Sequence, residues 1–155
     1  MKWLSSPNLL PPCHGSLQAK EEQKSIETCV FLGDIITNIF APAIFDYVLS
    51  RGIDEDNNPD LFTNLKTIIR TYSLNPASLG LAKVECCPGI SSQLETAMEG
   101  RNAVDHVLLT HLLDDWENYL DSWTWVSLAM GNKEAAGQID SARCLYSRYL
   151  CKTKI

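Results

Sequence analysis

The chain has 155 residues, 45% of them hydrophobic and 21% charged, with a formal net charge of −6 at pH 7. Such a length holds one domain with a sizeable core, and such a composition excludes wholesale disorder. The negative balance disfavours chain-wide attraction to nucleic acid or to an anionic membrane surface, and leaves Lys83, Arg143, Arg148, Lys152 and Lys154 for any local basic patch.

Residues 1–24 mix Ser, Pro, Gly and a Lys/Glu cluster without periodicity and read as a flexible extension. A single helical domain is expected over 25–151, followed by a short tail, 152–155. Pro7, Pro11 and Pro12 interrupt what a secretory signal would need as its apolar core. The six cysteines lack paired Cys-x-x-Cys spacing and read as reduced thiols. No uninterrupted apolar run approaches the ~20 residues of a membrane span, so the expected setting is intracellular, cytoplasmic or nuclear, with no membrane partner.

From Ile26 the residues Val30, Phe31, Ile35, Ile36, Ile39 and Phe40 recur at helical spacing as far as Ala41-Pro42, where proline either kinks the helix or opens the next. Ile44, Phe45, Val48 and Leu49 continue the pattern to Gly52, a candidate C-terminal cap. The acidic run from Asp54 to Asp60 does not fit a calcium loop, since Pro59 and Leu65 stand where glycine and a bidentate carboxylate belong. A polar turn is the better reading, with Asn58 as N-cap, Pro59 at the first helical position and Asp60 on the helix dipole. Leu61, Phe62, Leu65, Ile68, Ile69 and Tyr72 then mark a helix that stops at Asn75-Pro76.

Pro76 to Ser91 is the longest irregular stretch, and its adjacent Cys86 and Cys87 have no second cysteine pair at zinc-ligand spacing. Ser92-Gln93-Leu94-Glu95 fits a capping box, so a helix is expected to start there. It runs on to about Asp121, either through Gly100 or divided by it. At the C-terminal end, Ile139, Ala142, Leu145, Tyr146, Tyr149 and Leu150 fall in an arc of roughly 140° on a helix. Gly137 is expected as a breaker before this helix, and Gly131-Asn132 as a weaker break. The fold class is all-α, either antiparallel helix pairs of the solenoid type or a compact helical bundle.

The order Gly137, four residues, Ala142-Arg143, one residue, Leu145-Tyr146, one residue, Arg148, one residue, Leu150 resembles the second helix of the half-a-TPR repeat. That family is related to the tetratricopeptide repeat and occurs in RNA-processing scaffolds. Trp116 with Tyr119, or Trp123 with Trp125, would stand in for the aromatic pair of its first helix, and Phe40 to Asn75 resembles a solenoid helix pair of similar length. The resemblance implies a non-catalytic protein-binding module in RNA metabolism. A protein partner or a second copy would meet the last helix at Tyr146, Tyr149, Leu150, Arg143 and Arg148, and RNA would be met only indirectly.

Arg101-Asn102-Ala103-Val104-Asp105-His106 is similar to the motif of HEPN domains, helical bundles that include metal-independent RNases, and this resemblance implies as the alternative function a HEPN-like RNase or a nucleotide-binding bundle. Under that resemblance Arg101 would stabilise charge on the scissile phosphate, Asn102 would orient the site and His106 would move the proton. A salt bridge from Arg101 to Asp105, at i and i+4, accounts for the same residues without catalysis. Neither reading calls for a metal or a cofactor.

Overall fold

The structure, a computed structural model, describes residues 12–53, 56–83 and 89–153, with side chains from residue 17 onward. The expectations for Asp54, Glu55, Cys86, Cys87 and Lys154 fall outside these residues. Helices α1 (Pro12–Ile35), α2 (Ala41–Arg51), α3 (Leu61–Leu74), α4 (Ile90–Asp105), α5 (Leu109–Ala129) and α6 (Lys133–Lys152) make up the fold, and no strand occurs among the described residues.

α1 starts at Pro12, well before the expected end of the N-terminal extension. Leu17, Gln18, Ala19, Lys20 and the residues to Lys24 are strong helix formers that need no apolar stripe to continue a helix already packed further on. α1 and α2 are one rod. They are joined by a π-helical turn, Ile36–Phe40, in which the amide of Ala41 donates to the carbonyl of Ile36. Pro42 follows directly. Its ring would clash with the carbonyl four residues back and it has no N–H to give, so the widened turn lets the rod pass the proline unbroken. From Leu17 to Arg51 this rod is long and apolar enough to cross a membrane by length and composition. In this fold its Leu32, Ile35, Phe40, Ile44 and Val48 are core side chains.

Gly52 caps α2 in the left-handed region, as expected. Asp60, rather than Asn58, is the N-cap of α3: its carboxylate accepts from the Thr63 amide at 2.9 Å. Asn58 instead accepts from the Asp60 amide, and the buried Asn64 donates to the Asn58 carbonyl. The helix therefore begins two residues later than proline placement suggested. After α3, a 3-10 turn (Pro76–Leu79) is anchored by the Tyr47 hydroxyl, which donates to the Leu79 carbonyl.

α4 begins at Ile90, with Gly89 as its cap, so Ser92 lies inside the first turn and makes no cap hydrogen bond. Gly100 does not divide α4 but is buried within it. The division falls at His106 and Val107. α4 runs antiparallel to α5, with the buried Trp123 indole N–H donating to the Ala97 carbonyl at 3.1 Å. A turn at Gly131-Asn132 leads to α6, whose N-cap Asn132 accepts from the Ala135 amide. Gly137 lies within α6 on an open face and breaks nothing.

One hydrophobic core joins all six helices. α5 lies at its centre, against α4, α6 and, running parallel, α1. Phe40 stacks on Trp123 at 5.4 Å, while Phe31 stacks on Tyr146 at 4.1 Å and Trp116 meets Tyr146 edge-on at 5.2 Å. The first helix thus closes on the last two. Stacked repeat units touch only their neighbours; a contact between first and last helices is the packing of a bundle.

Candidate functional site

Arg101 extends from α4 toward the start of α3. Its guanidinium lies 3.9 Å from the Asp60 carboxylate, 3.6 Å from that of Asp105 and 5.1 Å from the centre of the Phe62 ring. It also donates to the Asn102 side-chain oxygen at 3.2 Å. Two carboxylates, an aromatic face and an amide therefore occupy the cation that would have met a phosphate. The Thr63 amide, first, with Arg101 adding to it, holds the Asp60 carboxyl below its usual range. His106 is the C-cap of α4, exposed, with no side-chain hydrogen bond or ion pair to the described residues. The spacing put Asn102 and His106 on one helical face, yet Asn102 is turned to Arg101 and His106 leaves the helix.

The residues expected to form a binding face on α6 separate into three environments. Tyr146 is buried: its hydroxyl bonds to the Thr28 hydroxyl at 2.8 Å and its ring lies between Phe31 and Trp116. It is a core residue and is not available to a partner, because α1 returns over the centre of the apolar arc. Leu150 is half-buried beside Trp116 in the groove between α1, α5 and α6. Arg143 pairs with Asp140 at 2.9 Å and reaches Asp121 of α5 at 3.4 Å. Tyr149 and Arg148 are exposed, Tyr149 with its hydroxyl on Glu27 at 2.9 Å. Leu145, expected inside, is 64% exposed. Beside the Tyr149–Glu27 link, Val30 lies one turn along α1 from Glu27 and is 59% exposed. The seam between α1 and α6 consequently carries Val30, Leu145 and Tyr149 on the outside.

A second concavity lies between α4 and α5, about 460 Å³, lined by Gln93, Glu99, His111, Asp115, Tyr119 and Trp125 among others. Sequence reading did not single it out. His111, Asp115 and Tyr119 recur at every fourth position of α5, which places them on one face. α4 and α5 together hold Glu95, Glu99, Asp105, Asp114, Asp115, Glu117 and Asp121 against Arg101 alone, so these two helices account for the whole −6 of the chain. Burial, and then Asp115 and Glu99, push the Tyr119 hydroxyl above its ordinary value. Burial also raises Asp121, against the opposing pull of Arg143. Ser122, buried behind the groove, donates to the Gln93 side-chain oxygen at 2.9 Å and fixes that end.

Among the described residues no group of three or more His, Cys, Asp or Glu side chains is placed to hold a metal ion. No family model, curated protein or solved structure matches this chain.

Proposed function

We propose that the chain is a non-catalytic helical interaction module that binds a protein partner along the α1–α6 seam. The observation that carries this reading is the exposure of Leu145 and Val30 on the two helices that the Tyr149–Glu27 hydrogen bond joins. Isolated exposed apolar residues are ordinary, but a set joined across two helices, with Arg148 and Lys152 beside it, has the mixed apolar and basic character of a contact surface. The engagement of Arg101 by Asp60 and Asp105 supports binding over RNA cleavage. A place in an RNA-metabolism assembly rests on the half-a-TPR resemblance alone.

The test is site-specific photo-crosslinking from position 145, with position 137 on the open face of α6 as control. The reading expects one recurrent protein species at 145 that is absent at 137 and lost on Tyr149→Asp. Identical patterns from both positions would remove the seam as a binding site. Single-stranded RNA incubated with the protein in EDTA should remain intact. Cleavage abolished by His106→Ala would instead favour the HEPN reading, since losing a general acid or base lowers rates ~10²- to 10⁴-fold.

A further inference from the structure

The groove between α4 and α5 has features that the seam does not explain. Glu99 on one wall and Asp115 on the other have no ion-pair partner among the described residues, whereas Asp121 is offset by Arg143. Tyr119 is only 5% exposed, yet its hydroxyl has no hydrogen-bond partner among the described residues. The hydroxyl is therefore free to take a hydrogen bond from a ligand atom. The ring of Tyr119 is held in place by close contact with Gly100, and Tyr119 shares the groove lining with Glu99 and Asp115. Trp125 adds an indole to the same lining.

We propose that this groove receives an arginine side chain from a basic segment of a protein partner. The guanidinium is met by the carboxylates of Glu99 and Asp115 and donates to the Tyr119 hydroxyl oxygen, while the segment that carries it passes the Trp125 indole further along α5. Arginine fits this set better than lysine, because its planar fork donates to two carboxylates at once. A metal ion is a poor occupant, given that no three-ligand cluster is present among the described residues. Phosphate-bearing ligands are repelled by the concentration of carboxylates on these two helices. The inference does not depend on the α1–α6 seam, and the partner that brings the arginine need not be the one bound there.

The experiment titrates the full chain, at low ionic strength, with a capped (Gly-Arg)5 peptide, the same peptide with citrulline for arginine, and N-acetyl-arginine amide. Calorimetry reads the affinity, and the Trp125 indole N–H resonance reads the place of binding. The arginine peptide should bind and shift that resonance, with the citrulline peptide showing no measurable binding. Glu99→Gln/Asp115→Asn should weaken binding by about tenfold or more, and Tyr119→Phe by about threefold. Glu21→Gln/Glu22→Gln, which removes two exposed charges from α1, should leave it unchanged. Equal losses in the groove and α1 variants would mean attraction to net charge and overturn the proposal. So would binding of the citrulline peptide, or absence of arginine-peptide binding. N-acetyl-arginine amide binding as tightly as the peptide would make the groove a small-cation site and end the protein-partner reading. Should a groove variant unfold, the wild-type resonance still decides: binding that leaves Trp125 unmoved is binding elsewhere.

Discussion

Gly100 of α4 lies directly beneath the Tyr119 ring of α5, so close that a Cβ built on it would stand 2.7 Å from the ring's Cγ and 2.8 Å from the Tyr119 Cβ. Those atoms are next to the α5 backbone and cannot swing aside as the end of a flexible side chain would. Gly100→Ala should therefore destabilise the protein. The added methyl gains about 1 kcal/mol of helix propensity, against an overpacking cost typically of about 1 to 3 kcal/mol. A denaturant midpoint lower by an amount equivalent to about 1 kcal/mol is expected. A midpoint raised by the substitution would show that the two helices are free to separate.

The Tyr146 hydroxyl links α6 to α1 through Thr28, whose own hydroxyl donates to the Lys24 carbonyl at 2.8 Å, so Tyr146 supplies the proton in the shared bond. Both residues are buried. Tyr146→Phe should cost about 1 kcal/mol while leaving the stack on Phe31 intact. Combined with Thr28→Val, it should show a coupling of about 0.5 to 1.5 kcal/mol in a double-mutant cycle. Simple additivity of the two losses would mean that the hydroxyls do not depend on one another.

Much of the fold was legible where one local signal settled the matter. The apolar positions of α3 and the glycine cap at Gly52 needed nothing beyond their neighbours in sequence. Errors arose where distant groups decided. Gly100 reads locally as a helix breaker, but the approach of Tyr119 gives it a packing role that no local pattern contains. Gly137 reads the same way and is simply tolerated on an open face. The arc from Ile139 to Leu150 marks the apolar side of α6, yet only the return of α1 determines that Tyr146 is covered and Leu145 is not. The α4–α5 groove was half legible. The acidic excess and the fourfold spacing from His111 to Tyr119 were on view, whereas the opposite wall required the antiparallel pairing.

Asp60 should give stability a specific acid dependence. Its folded-state pKa is depressed, chiefly by the Thr63 amide, so its contribution is complete above the ordinary aspartate value of about 3.9 and disappears as pH falls through the lower folded value. Asp60→Ala removes the cap and should cost about 0.5 to 2 kcal/mol at neutral pH. The gap between variant and wild type should narrow below about pH 4. Urea midpoints measured from pH 7 down to pH 2 provide the check, and a gap that stays constant across that range would mean that the carboxylate charge plays no part.

Val107 occupies a position that the chain elsewhere gives to glycine. α2, α4 and α5 end alike: the residue in the left-handed region donates three positions back, and its successor donates five positions back. The pairs are Gly52 to Leu49 with Ile53 to Val48, Val107 to Val104 with Leu108 to Ala103, and Gly131 to Leu128 with Asn132 to Ser127. Gly52 and Gly131 adopt the required positive φ without strain, but Val107, at φ 52°, is a β-branched residue in a region that costs an L side chain about 1 to 2 kcal/mol. Its side chain is 55% exposed and returns little of that through packing. Val107→Gly should stabilise the protein by roughly 0.5 to 1 kcal/mol, once the extra freedom of glycine in the unfolded chain is subtracted. Val107→Ala keeps a Cβ at the same φ and should recover less. If thermal and denaturant midpoints rise equally for both variants, the gain comes from removing an exposed apolar side chain rather than from backbone strain.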